Sequence, residues 1–225
     1  MVNMNEWDIA VRYLAGARLR PYLEACSGND ELALRLYEWN TEISSALWES
    51  LSYLEVSVRN TIDLQMQYRQ QRLGRESHWI FDTDGELGRN RENPAESKQP
   101  YRAIHEATRR IHNQHKEVTP NRIISELSFG FWHQMMSKQQ RFLWPDLASG
   151  FRNLPSRAPD ELVTKFEPLR DLRNRIGHHH KIFHLDVYEK FDLITSVASF
   201  VEPALADMIR SRSRLEDLLS HRPVT

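Results

Sequence analysis

A single cysteine, Cys26, stands in 225 residues. No disulfide can form within the chain, so a disulfide-stapled secreted scaffold is excluded. No apolar run approaches the roughly 20 residues that span a bilayer. No N-terminal stretch shows the charged, then apolar, then small-residue order of a secretory leader. These absences lead to the expectation of a soluble cytoplasmic protein without a membrane partner. Charge of one sign is not in excess either, with 30 Lys and Arg against 31 Asp and Glu. That balance argues against a non-specific coat for nucleic acid, but not against a local cationic site. Glycine and proline are few, 8 and 10, and they punctuate the chain rather than pervade it.

What remains reads as all-α. No segment alternates with period two for long enough to make a strand. A helical hairpin is expected over Asn5 to Ala25, broken at Arg20-Pro21. Asn29 to Leu73 holds neither Gly nor Pro, and Leu47, Leu51, Leu54, Val58 and Ile62 recur at helical spacing. This is one very long helix or two with a bend. The polar stretch within residues 74–100 reads as an exposed loop. A helix follows from about Tyr101 to Lys116. Thr119-Pro120 is a helix start, with Thr as N-cap and Pro at the first position. "ELSFGFWHQMM" suggests a tight helix–helix approach around Gly130. Leu185 to about Leu219 closes the chain, kinked near Pro203. The expectation is one all-helical domain over residues 1–225, long enough to bury a core.

The chemistry is concentrated in "RDLRNRIGHHHKIF", Arg170 to Phe183. Arg170, Asp171, Arg173, Arg175 and Lys181 give this stretch a fixed charge of +3 before any His is counted. The helix carrying it is expected from Asp160 to about Ile176. With Leu162 at zero and about 100° per residue, Phe166, Leu169 and Ile176 fall within about 40°, on one core face. Arg173 falls at about 20°, in the middle of that face. An Arg there needs partners or an interface, because an unpaired buried charge is very costly. Asn174 and His178 share a neighbouring face, and Arg173 and His178 lie on adjacent edges near the helix end. Both could reach one group of phosphate size.

Those residue types suit RNA cleavage without a metal. His titrates near neutrality and can act as base or acid. Arg presents a planar fork to two phosphate oxygens, and Asn can orient the His or donate to the phosphate. The bland reading is a salt-bridged helix C-terminus, where cations are favoured. By spacing alone that bland reading is favoured, since Arg-x4-His arises often by chance and Arg173/His178 and Arg175/His180 both satisfy it.

The sequence "LRDLRNRIGHHHKIF" resembles the signature of Abi-like (abortive-infection-type) proteins within the HEPN superfamily. "LALRLYEWNTEISSALWESLSYLEVSVRN", "HWIFD" and "TPNRIISELSFGFWHQMM" match in the same order. The resemblance implies an all-α helical bundle of HEPN type that dimerises, with the Arg and His of each protomer meeting across the dimer axis. It implies a metal-independent endoribonuclease acting as a toxin or in anti-phage defence, with RNA as substrate and an antitoxin or other regulatory partner. Carried onto this chain, the catalytic set is Arg173, Asn174 and His178, with His179 as alternative. Arg175, His180, Lys181, Arg59 and Asn60 are the candidate substrate-binding residues. Gly177 stands where relatives commonly have Ala, which weakens the helix by about 1 kcal/mol and could end it there. His180 stands where an acidic residue is common, which leaves the partner of Arg175 or His179 open. The alternatives are a catalytically silent module binding RNA, a nucleotide or a protein, and a structural dimer with the cluster as its ion network.

Other features read plainly. Glu55 lies one turn before Arg59, as a surface ion pair would have it; in the resemblance it could instead orient Arg173 or a His. His178, His179 and His180 point in different directions on a helix and do not converge as zinc ligands, so no metal or other cofactor is expected. Phe129, Phe131, Trp132 and Trp144 could stack bases, but they read better as a packed seam.

Overall fold

The run after Asn29 folds as one helix of 43 residues, Asp30–Arg72, about 65 Å long at 1.5 Å per residue. In chain order, the computed structural model, which describes residues 5–223, has α1 (Glu6–Leu14), α2 (Gly16–Ala25), α3 (the long helix), α4 (Tyr101–Asn113), α5 (Pro120–Glu126) and α6 (Phe129–Met135). Next come α7 (Trp144–Leu147), α8 (Pro159–Gly177), α9 (Val187–Val201), α10 (Pro203–Arg212) and α11 (Leu215–Ser220), with short 3-10 turns between some of them. No strand occurs among the described residues, and the chain is an all-α bundle. No helix among them is long and apolar enough to cross a membrane.

The spine is α3. Asn29 caps it by accepting from the Leu32 amide at 3.0 Å. Asp30 and Glu31 in its first turn and Arg69 and Arg72 in its last suit the helix dipole. Its stripe Leu47, Leu51, Leu54, Val58 and Ile62 is wholly buried, and α2, α7, α8, α9 and α11 pack around it. The expected core face of α8, Leu162, Phe166, Leu169 and Ile176, is buried as well, joined by Leu172.

Four expectations need correction. The first hairpin breaks at Ala15, whose φ is 69°, and Pro21 lies inside α2. Pro21 forfeits only the bond to the carbonyl four residues back, at the start of the helix, so it does not end it. Gly130 does not mark a close approach, because a Cβ there would meet nothing nearer than 3.7 Å. The close approach is at Gly150, where a Cβ would lie 2.5 Å from Thr61 Cγ2 and 3.0 Å from Gln65 Cγ on α3. At Pro203 the chain breaks rather than kinks: Glu202 is extended and α10 begins at the proline.

The fourth correction concerns residues 74–100, expected as an exposed loop: the segment is irregular apart from short 3-10 turns, but part of it is buried and bonded to α3. Glu86 receives both forks of Arg69 (2.8 and 3.2 Å) and Arg75 (2.8 and 3.1 Å). Trp79 is buried and donates its indole N–H to Asp63 at 2.7 Å. Asp82 accepts from the amides of Leu87 and Arg89, both at 3.0 Å. Polar composition misled the reading here, because these polar groups bond to one another and to α3.

The Arg75 and Arg69 guanidinium groups hold the Glu86 carboxyl below the usual carboxylate range. Its contribution to stability is therefore complete above about pH 4.3, the unfolded value, and is lost as the pH falls through the lower folded value. Glu86→Gln is expected to cost about 1–3 kcal/mol at neutral pH and to flatten that acid limb. Urea unfolding of both proteins between neutrality and pH 3 checks this, and identical pH profiles would contradict it.

Candidate functional site

The end of α8 is a turn closed by its own backbone. His180 N donates to Arg175 O at 2.8 Å and His179 N to Ile176 O at 2.9 Å. This is the Schellman pattern, with His179 at the left-handed position, φ 54°. Glycine is usual there, yet the glycine stands two residues earlier, as the last residue of α8. The helix thus ends at Gly177, as expected, but the left-handed residue that turns the chain is His179.

The turn is pinned from two sides. Asn40 of α3 is 5% exposed, and its side-chain oxygen accepts from the amides of Ile182 (2.8 Å) and Phe183 (3.0 Å). Arg18 of α2 donates from Nη1 to the His179 carbonyl at 2.6 Å. The triple-His segment is thus fixed between α2, α3 and α8.

Arg173 lies on the inward side of α8, its side chain 30% exposed. Its guanidinium sits over the Trp48 ring, 5.1 Å from the centroid. Its Nε is 3.7 Å from Glu55 Oε2, an ion pair too long to be a hydrogen bond, and that Nε is buried without a hydrogen-bond partner. Burial pushes the Glu55 carboxyl up, and Arg173 and Arg59 pull it partly back. Trp48, Glu55 and Arg59 all belong to α3. Asn60, the residue beside Arg59, is exposed.

The other expected residues divide into groups. Asn174 and His178 are exposed, linked by the His178 N to Asn174 O bond at 3.0 Å. The rings of His178 and His180 are 5.9 Å apart, tilted by 37°. Arg175, His179, His180 and Lys181 line one hollow of about 460 Å³ with Arg18 and Tyr22. Burial, then the charges of Arg175 and Lys181, lowers the pKa of neighbouring His184, a sign of the positive field there. Arg170 is turned aside, bonded to Asp171 at 2.9 Å and within 3.3 Å of His133. The aromatic set Phe129, Phe131, Trp132 and Trp144 is buried as core, which removes it as a base-stacking surface.

A second, larger groove of about 720 Å³ went unread in the sequence. Its wall on α3 is Tyr37, Thr41, Ser44 and Trp48, at helical spacing. The signal was there, an aromatic-and-hydroxyl stripe beside the apolar one, but a stripe of mixed polarity does not stand out in a search for core. Among the described residues no group of three or more His, Cys, Asp or Glu is placed to hold a metal.

Asn40→Ala would leave two buried amides unsatisfied and is expected to cost about 2–4 kcal/mol. Denaturant unfolding and faster amide exchange at Ile182 and Phe183 would register it; unchanged protection there would mean that Asn40 does not hold the turn. Gly177→Ala is expected to stabilise α8 by up to about 1 kcal/mol. A Cβ there meets only ordinary contacts, 3.6 Å to the Trp48 ring and 3.8 Å to Arg173 Nη1. A lowered unfolding midpoint would contradict that.

No curated protein and no solved structure matches the chain. The family model described as Abi-like protein matches residues 22–184, from the middle of α2 to just past the pinned turn. That is well over half of the chain, and the protein belongs to the Abi-like protein family.

Proposed function

We propose that the protein is a metal-independent endoribonuclease of the HEPN kind, acting in abortive-infection defence or as a toxin. The observation that carries this reading is Arg173. It is held over Trp48 and 3.7 Å from Glu55, with its Nε lacking a hydrogen-bond partner, a loose hold that leaves donors for phosphate oxygens. Asn174 helps position the phosphate. His178 removes the proton from the 2′-OH or delivers one to the leaving 5′-oxygen, and a second His takes the other role. His180, 5.9 Å away ring to ring, is that second group within one chain; His179 is the alternative. Attack of the 2′-oxygen on phosphorus breaks the bond to the 5′-oxygen, leaving a 2′,3′-cyclic phosphate and a 5′-hydroxyl. Arg175, Lys181, Arg59 and Asn60 hold flanking parts of the RNA.

The same reading makes the active form a homodimer, with two such sites facing across a cleft. Tyr53, Val56, Leu64 and Tyr68 support it. They are 42–53% exposed on one face of α3, next round the helix from Glu55 and Arg59, and apolar groups aligned this way suit a partner helix.

The test is cleavage of total RNA and tRNA with excess chelator by wild type, Arg173→Ala and His178→Ala, each checked for folding and mass in solution. Wild type is expected to cut and leave cyclic phosphate ends. Each variant is expected to lose about a hundredfold or more. Intact RNA with folded wild type, or equal cutting by the variants, sinks the assignment. Leu64→Asp is expected to give a monomer by light scattering and to lose cleavage with it. A wild type that is monomeric yet active would remove the dimer from the reading.

A further inference from the structure

The larger groove has the chemistry of a base-binding site. Tyr13, Tyr37 and Trp48 supply ring faces, Tyr13 being 72% and Trp48 37% exposed. The α3 wall also carries three hydroxyls whose protons are committed. Thr41 Oγ1 donates to Tyr37 O (3.1 Å), Ser44 Oγ to Asn40 O (2.6 Å) and Ser45 Oγ to Thr41 O (3.0 Å). Each therefore offers lone pairs to a ligand. Asn40 has its side-chain oxygen occupied by two backbone amides, so what it can offer is its NH₂. The one acid lining the groove, Glu49, is paired with Arg214 at 2.8 Å. The groove is thus an aromatic slot with hydrogen-bond acceptors and without an unpaired negative charge, and its volume is in the range that holds small ligands.

The groove continues into the cationic hollow. The two share Arg18, His179 and His180, and among the described residues no acidic side chain lines the hollow, where Arg175 and Lys181 face Arg18. Arg175 Nε is buried there without a hydrogen-bond partner. An aromatic slot leading over a His turn to three fixed cations fits a planar base joined to a phosphate.

We propose that the groove takes one unpaired base of a single-stranded RNA, and that Arg18, Arg175 and Lys181 take the adjoining phosphate. The choice of RNA rests on the endoribonuclease reading and names the substrate class for that site. A duplex is excluded, because a paired base has no free ring face or edge to present. The committed hydroxyls favour bases with an exocyclic amine, so adenine, cytosine and guanine are preferred to uracil. A free nucleotide carries the same chemistry, and the two sources separate by experiment.

The experiment is fluorescence anisotropy with end-labelled 2′-O-methyl eight-mers, which cannot be cleaved through the 2′-oxygen. Adenine and cytosine oligomers are expected to bind several-fold tighter than the uracil oligomer, and a fully abasic chain at least tenfold weaker. Tyr37→Ala and Trp48→Ala, folded by circular dichroism, are expected to lose fivefold to a hundredfold, as stacked bases do, with recovery in Trp48→Phe. Lys181→Ala is expected to weaken all oligomers alike and to reduce the salt dependence by about one phosphate contact. Equal binding of abasic and base-bearing chains overturns the proposal while leaving the nuclease reading in place, as does unchanged binding by both groove variants. Tight binding of free AMP or CMP with no gain from the oligomer overturns the RNA source. Base-dependent binding with no cleavage of ordinary RNA supports the groove and sinks the nuclease reading.

Discussion

One helix of 43 residues without glycine or proline sets the register of what is packed on it. Because α3 is continuous, its faces keep a fixed angular relation from end to end. One face buries the stripe from Leu47 to Ile62. The neighbouring face carries Tyr37, Thr41, Ser44 and Trp48 along the groove and, further on, Glu55 and Arg59. A break near residue 50 would uncouple the Asn40 anchor from the Glu55 contact. The network of Arg69, Arg75 and Glu86 stiffens the far end by tying the 74–100 segment to the helix.

The turn after α8 depends on that register. A non-glycine residue in the left-handed region costs about 1–2 kcal/mol, and His179 adopts it. Two backbone bonds within the turn, the Arg18 bond to the His179 carbonyl and the paired amide bonds to Asn40 offset that cost. They also explain why three consecutive His do not scatter over a frayed helix end. The backbone is held by five hydrogen bonds, which fixes where each ring leaves the chain. His178 and His180 face each other, and His179 and His180 line the hollow.

Much of this was legible in the sequence because it rests on local rules. Helix period placed Leu162, Phe166, Leu169 and Ile176 inward and put Arg173 among them. Thr119 caps α5, accepting from Arg122 N at 3.4 Å, as the Thr-Pro pair implied. What failed rests on contacts distant in sequence. Pro21 was read as a break, but the strained residue is Ala15. Gly177 is the last helical residue, as expected, but the left-handed position falls on His179, in a turn held by bonds to α2 and α3. The partly buried anchoring of segment 74–100 does not show in its polar composition, because the partners of its polar groups lie on α3 and within the segment itself. The groove is only half legible: its α3 wall shows as a stripe of mixed polarity, but the residues that α1, α2 and the His turn add to it meet only in the fold.

Two kinds of arginine can be told apart by what occupies their forks. Arg69 and Arg75 each place two nitrogens on Glu86, so their hydrogen-bonding edge is largely filled and their role is structural. Arg173 is different. Its charge is compensated by Glu55 at 3.7 Å and by the Trp48 ring face, with Nε left unpaired, a looser hold than the two-pronged bonds to Glu86. A charge held this way avoids most of the cost of partial burial and keeps its donors for a ligand. A helix-end cap would show the reverse, with the donors filled by carbonyls or a carboxylate. The loosely held fork, with its Nε unpaired, is therefore the physical reason to read this Arg as part of a site.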